Sequence, residues 1–112
     1  MNINTVYPHV RDFMNKVEKD LTNLGFELLQ GQHYHTKIFD FIYDGQLGFT
    51  FVEKTNSFYS PLADNINYYH TDMRDNKDKI IKTILRQAKA IIKANKLEKI
   101  NKRKEALNED FE

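Results

Sequence analysis

The sequence predicts an α+β fold: an N-terminal helix and a long C-terminal helix packed on one face of an antiparallel sheet of three to four strands, in α-β-β-β-α order. Three observations carry this. Apolar residues recur with helical period near the start and again after residue 76, and between them the period shortens to two. Asp44-Gly45, set between two aromatic-rich runs, is a strong hairpin signal.

Val6, Val10, Phe13, Met14, Val17, Leu21 and Leu24 fall on one face of the first helix. Asn4 or Thr5 can cap it, Pro8 is tolerated in its first turn, and Gly25 sits where a left-handed residue ends a helix. From Phe26 the pattern is that of strands. Phe26 to Leu29 reads as the first, Gly31 to His35 as a polar connection, and Lys37–Tyr43 with Leu47–Glu53 as a hairpin. Pairing Tyr43 with Leu47 puts Phe41 opposite Phe49, Phe39 opposite Phe51 and Lys37 opposite Glu53, gathering the aromatics on one face. A two-residue loop would pair Asp40 with Phe49 and scatter them, so a three-residue loop is expected.

Residues 55–75 show no clean period and are expected to be an ordered segment anchored by Phe58, Tyr59, Leu62, Tyr68 and Tyr69. Within it, residues 65–70 can form a short fourth strand. Asp75 or Asn76 then caps a second long helix whose apolar face is Ile80, Ile81, Ile84, Leu85, Ala88, Ile91 and Ile92. Asn95 falls at the centre of that face. A single compact domain over residues 1–95 is therefore expected, followed by a charged C-terminal extension, 96–112, carrying Leu97, Ile100, Leu107 and Phe111 at loosely heptad spacing. Ile38, Ile42 and Val52 on the other sheet face leave apolar surface, which points to a homodimer or a bound partner there.

Composition narrows the function classes. At 112 residues, 40% of them apolar, the chain suits one modest core. The absence of cysteine favours the cytoplasm of a bacterial host, and residues 1–11 lack the pattern of a signal peptide. No stretch has the roughly 18 uncharged apolar residues of a membrane span, so no membrane partner is expected. Abundant lysine, asparagine and isoleucine suit A/T-rich codons and point to a low-GC bacterium, or a phage or plasmid of one. The net charge of +1 hides an asymmetry: residues 77–104 hold 11 basic and 2 acidic groups, while residues 105–112 hold four acids and no base.

The strongest pattern outside the core is Lys79, Lys82, Arg86, Lys89, Lys93 and Lys96, at intervals of 3, 4, 3, 4 and 3. At about 100° per residue they form a stripe roughly 100° wide, far around the helix from the isoleucines. Lys99, Lys102, Arg103 and Lys104 extend the run. Such a stripe can neutralise successive phosphates, with little regard to base sequence. Solvated helix faces also favour lysine, but usually mix it with glutamate, and here no acid lies between Asp78 and Glu98. Tyr68 and Tyr69, beside Phe58 and Tyr59, can stack on bases or anchor an interface. Alternatively, Glu105, Glu109, Asp110 and Glu112 could fold back over the stripe or pair with a neighbouring chain.

Other chemistry is sparse. His33, His35 and His70 with Asp72 show i, i+2 spacing but no recognised metal frame, and no metal or other cofactor is expected. Asp64, Asp72, Asp75 and Asp78 with Lys77 or Lys79 could form a carboxylate cluster, though Asp75 and Asp78 suit a helix N-terminus. No cysteine nucleophile, GxSxG elbow, phosphate-cradling glycine loop or HExxH is present, so the protein is not expected to be an enzyme.

The stretch Leu28-Leu29-Gln30-Gly31-Gln32-His33 and the turn Asp44-Gly45-Gln46-Leu47-Gly48, within a helix-strands-helix order, resemble the double-stranded RNA-binding domain over about a quarter of the chain. That family opens its second helix with a Lys-Lys-x-Ala-Lys cluster soon after the third strand. Here 21 residues intervene and the helix opens Asn76-Lys77-Asp78-Lys79-Ile80, so the assignment is not adopted. The size and topology also suit phage inhibitors of host defence, anti-CRISPR proteins among them. The expectation is a non-enzymatic, phage or mobile-element protein contacting nucleic acid or a host nucleic-acid-binding protein through the basic helix face. The alternative is an anti-defence inhibitor docking on a host protein.

Overall fold

In the computed structural model, which describes residues 6–33 and 35–110 without the side chains of residues 33 and 105–110, five strands follow one helix in the chain and precede two more. The elements are α1 (Pro8–Asn23), β1 (Glu27–His33), β2 (Thr36–Tyr43), β3 (Gln46–Val52), β4 (Ser57–Ser60), β5 (Ala63–Tyr68), α2 (His70–Asp75) and α3 (Lys77–Asp110). The strands form one antiparallel meander in sequence order. The fold is α+β, with five strands rather than three or four. The additional pairing comes from residues 55–75, which supply β4, β5 and α2. Their presence between β3 and the last helix also departs from the α-β-β-β-α order of the RNA-binding domain.

One sheet face is phenylalanine. Phe39, Phe41, Phe49, Phe51 and Phe58 are buried there with Ile66, beneath Val10, Phe13, Met14, Val17 and Leu21 of α1 and Ile80, Ile81, Ile84, Ala88 and Ile91 of α3. Phe49 stacks on Phe58 with centroids 5.6 Å apart, and Phe13 meets the same ring edge-on at 6.2 Å, so Phe58 joins the sheet to α1.

The ends of α1 follow backbone rules. Pro8 opens the helix behind Tyr7, which donates no side-chain cap, and the suggested caps Asn4 and Thr5 lie outside the described residues. At the other end Gly25 takes φ +104°, and the Gly25 and Phe26 N–H groups donate to the Thr22 and Leu21 carbonyls.

The β2–β3 hairpin satisfies two demands that conflict in the sequence. Asp44 and Gly45 take φ of 51° and 80°, the positive pair that a two-residue type I′ turn requires, so the loop has two residues rather than three. Phe41 nevertheless faces Phe49 and Phe39 faces Phe51, as the aromatic pattern demands. Both hold because the register shifts by one: Ile42 faces Leu47 and Gly48 is the extra residue of a β-bulge. The bulged carbonyl is then used, since Ser60 Oγ donates to Gly48 O at 2.7 Å in the interior.

Only glycine fits at that bulge. A Cβ on Gly48 would lie 2.9 Å from Phe26 Cε1 and 3.4 Å from Ile91 Cδ1, and the Phe26 ring is itself held between Tyr43 and Phe49. Gly48→Ala is expected to cost about 1–3 kcal/mol through overpacking, measured by urea denaturation. Gly31→Ala, where a Cβ meets nothing within 4 Å, is expected to stay within about 0.5 kcal/mol of the parent.

Candidate partner-binding surface

Helix α3 has 34 residues, about 51 Å at the ordinary rise, and its two sides differ in chemistry. The inward side ends its buried run at Ile91. Opposite it, Lys79, Lys82, Arg86, Lys89, Lys93 and Lys96 are all exposed. Among the described residues no carboxylate forms an ion pair with any of the six. The acids suggested to fold back over them, Glu105, Glu109, Asp110 and Glu112, lie with Leu107 and Phe111 outside the described side chains.

The basic run does not continue as one surface. One turn past Ile91 the inward side of α3 passes the β2–β3 turn, where Asn95 Nδ2 donates to Asp44 Oδ2 at 2.9 Å and Lys99 Nζ sits 3.0 Å from the same oxygen. Lys102 pairs with Glu98 at 3.1 Å. Two of the lysines that extend the run in sequence are therefore already partnered, while Arg103 and Lys104 beyond them are exposed. Asn95, at the centre of the apolar face in sequence, marks where hydrophobic packing gives way to this polar latch. Nothing in the linear sequence pairs residues 44, 95 and 99, although a polar residue on an apolar helical face hinted that something met it.

Tyr68 and Tyr69 occupy different settings. Tyr68 pairs with Phe58 across β4 and β5, packs partly against the core, and lines a shallow groove of about 180 Å³ with Asp72, Asn76, Lys79, Ile80 and Thr83. That groove brings Tyr68 to the first cation of the stripe. Tyr69 is 52% exposed and precedes α2, with its backbone N–H donating to Asp72 Oδ2 at 2.9 Å. Asp72 is thus engaged as a helix cap.

The remaining candidates are dispersed. His35 lies exposed at the β1–β2 turn with φ 64°, and the side chain of His33 is outside the described set, as is Tyr34. His70 is 4.7 Å from the Tyr7 ring, and its carbonyl accepts a 3.0 Å hydrogen bond from His9 Nε2. Sequence reasoning gave His9 no part in this cluster. Arg74 beside Asp75 holds that carboxyl below its ordinary value, and Asp64 sits on β5. Among the described residues no three His, Asp or Glu side chains converge as metal ligands. No helix among them is long and apolar enough to cross a membrane.

The sheet face turned away from the helices is mixed. Ile38, Ile42 and Val52 are half-buried there, Leu29, Leu47 and Tyr59 are exposed, and Thr50 Oγ1 donates to Asp40 Oδ1 at 2.9 Å near its centre. No protein-family model matches the chain, and neither curated proteins nor solved structures show a significant match to it.

Asn95 first, and Lys99 next, hold the Asp44 carboxyl below its ordinary value of 3.8. A carboxyl depressed on folding adds stability above its unfolded value, and that contribution is lost as pH falls through the folded value. Asp44→Asn keeps a residue that accepts positive φ but removes the charge. Amide exchange over residues 95–102 is expected to quicken by about two- to fivefold at neutral pH. The difference from the parent should vanish in acid below the folded value.

Proposed function

We propose that the protein is a non-enzymatic binding protein that engages nucleic acid, alone or within a processing complex, along the outward side of α3. The observation that carries this reading is the row Lys79, Lys82, Arg86, Lys89, Lys93 and Lys96: six exposed cations on one helix side, without an ion-pair partner among the described residues. From the first to the last the helix rises about 25 Å, the axial length of roughly seven base pairs. One arginine among six cations suits phosphate contact better than base reading, which favours the bidentate guanidinium. Tyr68 at the groove beside Lys79 and exposed Tyr69 offer aromatic surface at one end of the row.

A phosphate-driven contact has a salt signature. Each neutralised phosphate steepens the dependence of log affinity on log salt by about 0.9, so engagement of all six predicts a slope near −5 on duplex DNA. The double variant Lys82→Ala/Lys89→Ala is expected to make that slope shallower by about 2 and to weaken binding about tenfold or more at moderate salt. Its folding stability should remain within about 0.5 kcal/mol of the parent. Fluorescence anisotropy titrations at several salt concentrations measure all of this, and an affinity indifferent to salt or to the substitutions rejects the reading.

A further inference from the structure

β1 is an edge strand, and nothing among the described residues pairs with its outer side. Between Glu27 and residue 33 it reads Leu28-Leu29-Gln30-Gly31-Gln32, with no charge and no proline, and its pairing with β2 is unbroken. Sheets ordinarily guard such edges with lysine, proline, a bulge or a covering element, because a row of free N–H and C=O groups templates another strand. The opposite edge is guarded in this way. β5 carries Asp64, its register against β4 is interrupted between Tyr59 and Ser60, and α2 follows after one residue. On the unguarded edge Leu29 stands 51% exposed.

The hairpin fixes which backbone groups of β1 point outward. Residues 34 and 35 alone separate β1 from β2, so His33 and Thr36 close the turn as a hydrogen-bonded pair. Backbone direction alternates from there, which leaves the N–H and C=O of Leu28, Gln30 and Gln32 directed away from β2. About Gln30 the strand is complementary to itself. Antiparallel pairing with a second copy, centred on that residue, makes Gln30 with Gln30 and Leu28 with Gln32 the hydrogen-bonded pairs. It lays Leu29 across Gly31, which has no Cβ to obstruct it, and sets Glu27 opposite residue 33, a histidine. This register alone uses all seven residues of the strand.

We propose that β1 is a homodimerisation edge: two copies pair their β1 strands antiparallel about a two-fold axis through Gln30 and join their sheets into one. The axis runs perpendicular to the sheet, so both helical layers fall on the same side of it, and both α3 cation rows face the same way. This proposal does not rest on the nucleic-acid reading, because substitutions on β1 leave every cation of α3 in place.

Analytical ultracentrifugation over a concentration series tests it. The parent is expected to move from the 13.3 kDa chain mass towards twice that value. Gln30→Pro removes a donor that the sheet itself does not use and is expected to restore the monomer with an unchanged circular dichroism spectrum. Should proline disturb the strand, Leu29→Lys leaves the backbone intact and is expected to weaken association at least tenfold. The chain contains no cysteine, so Gln30→Cys gives an independent readout. Paired residues at that position stand about 5.5 Å apart, within disulfide reach, and mild oxidation should link the chains faster than it links an Asn67→Cys control on β5. A monomer at every concentration overturns the proposal. So does a dimer that survives both edge substitutions, or a Gln30→Cys variant that links no faster than the control.

Discussion

Five phenylalanine rings from three consecutive strands share one sheet face with at most 1% of their surface exposed, and α1 and α3 both lie over them. Truncating any one such ring costs about 3–5 kcal/mol, a large part of the 5–15 kcal/mol that holds a typical domain together. Keeping the rings together therefore overrides weaker preferences. It imposes the Phe41–Phe49 and Phe39–Phe51 pairs even though the Asp44-Gly45 turn favours a register one residue away, and the bulge at Gly48 absorbs the difference. It also fixes the rotation of α3. With Ile80, Ile84, Ala88 and Ile91 turned onto the rings, the cations at 79, 82, 86, 89, 93 and 96 fall on the exposed side of the helix.

The parts of this arrangement that bury large side chains at a regular period were legible in the sequence. Both long helices, the aromatic pairing and the outward cation row follow from spacing alone. Shorter elements were not. β4 is four residues, Ser57-Phe58-Tyr59-Ser60, and both of its serines are buried, so its polar positions do not mark the solvent side. Ser60 is inside because its hydroxyl satisfies the bulged carbonyl of Gly48, a partner 12 residues away. α2, at six residues, is too short to show a helical period. β1 runs to His33 through residues that read as a polar connection, because an edge strand can leave polar side chains in water while its backbone remains paired on one side.

Not all cations of α3 share one setting, and composition cannot tell them apart. Lys99 and Lys102 lie on the inward side of the helix and meet Asp44 and Glu98. The Asp44 contact depends on the same turn that the phenylalanine pairing and the Gly48 bulge place at that end of the sheet. A change that disturbed the bulge would thus also displace the carboxylate that meets Asn95 and Lys99. Core packing, turn geometry and the course of the helix beyond its buried face are linked through this one hairpin.

The outward group bears an electrostatic cost. Like charges three or four residues apart on a helix destabilise it by about 0.2–0.5 kcal/mol per pair, and five such steps separate Lys79 from Lys96. A surface selected only for solubility would relieve that repulsion by mixing in glutamate, as residue 98 does beside Lys102. The isoleucine face gives α3 enough packing to tolerate the repulsion, so the row persists without local compensation among the described residues. Salt screens such repulsion, and so does any polyanion laid along the row, which would gain attraction to the cations while relieving their mutual repulsion. The charge pattern that weakens the isolated helix is thus the pattern that would strengthen the proposed contact with an extended line of phosphates.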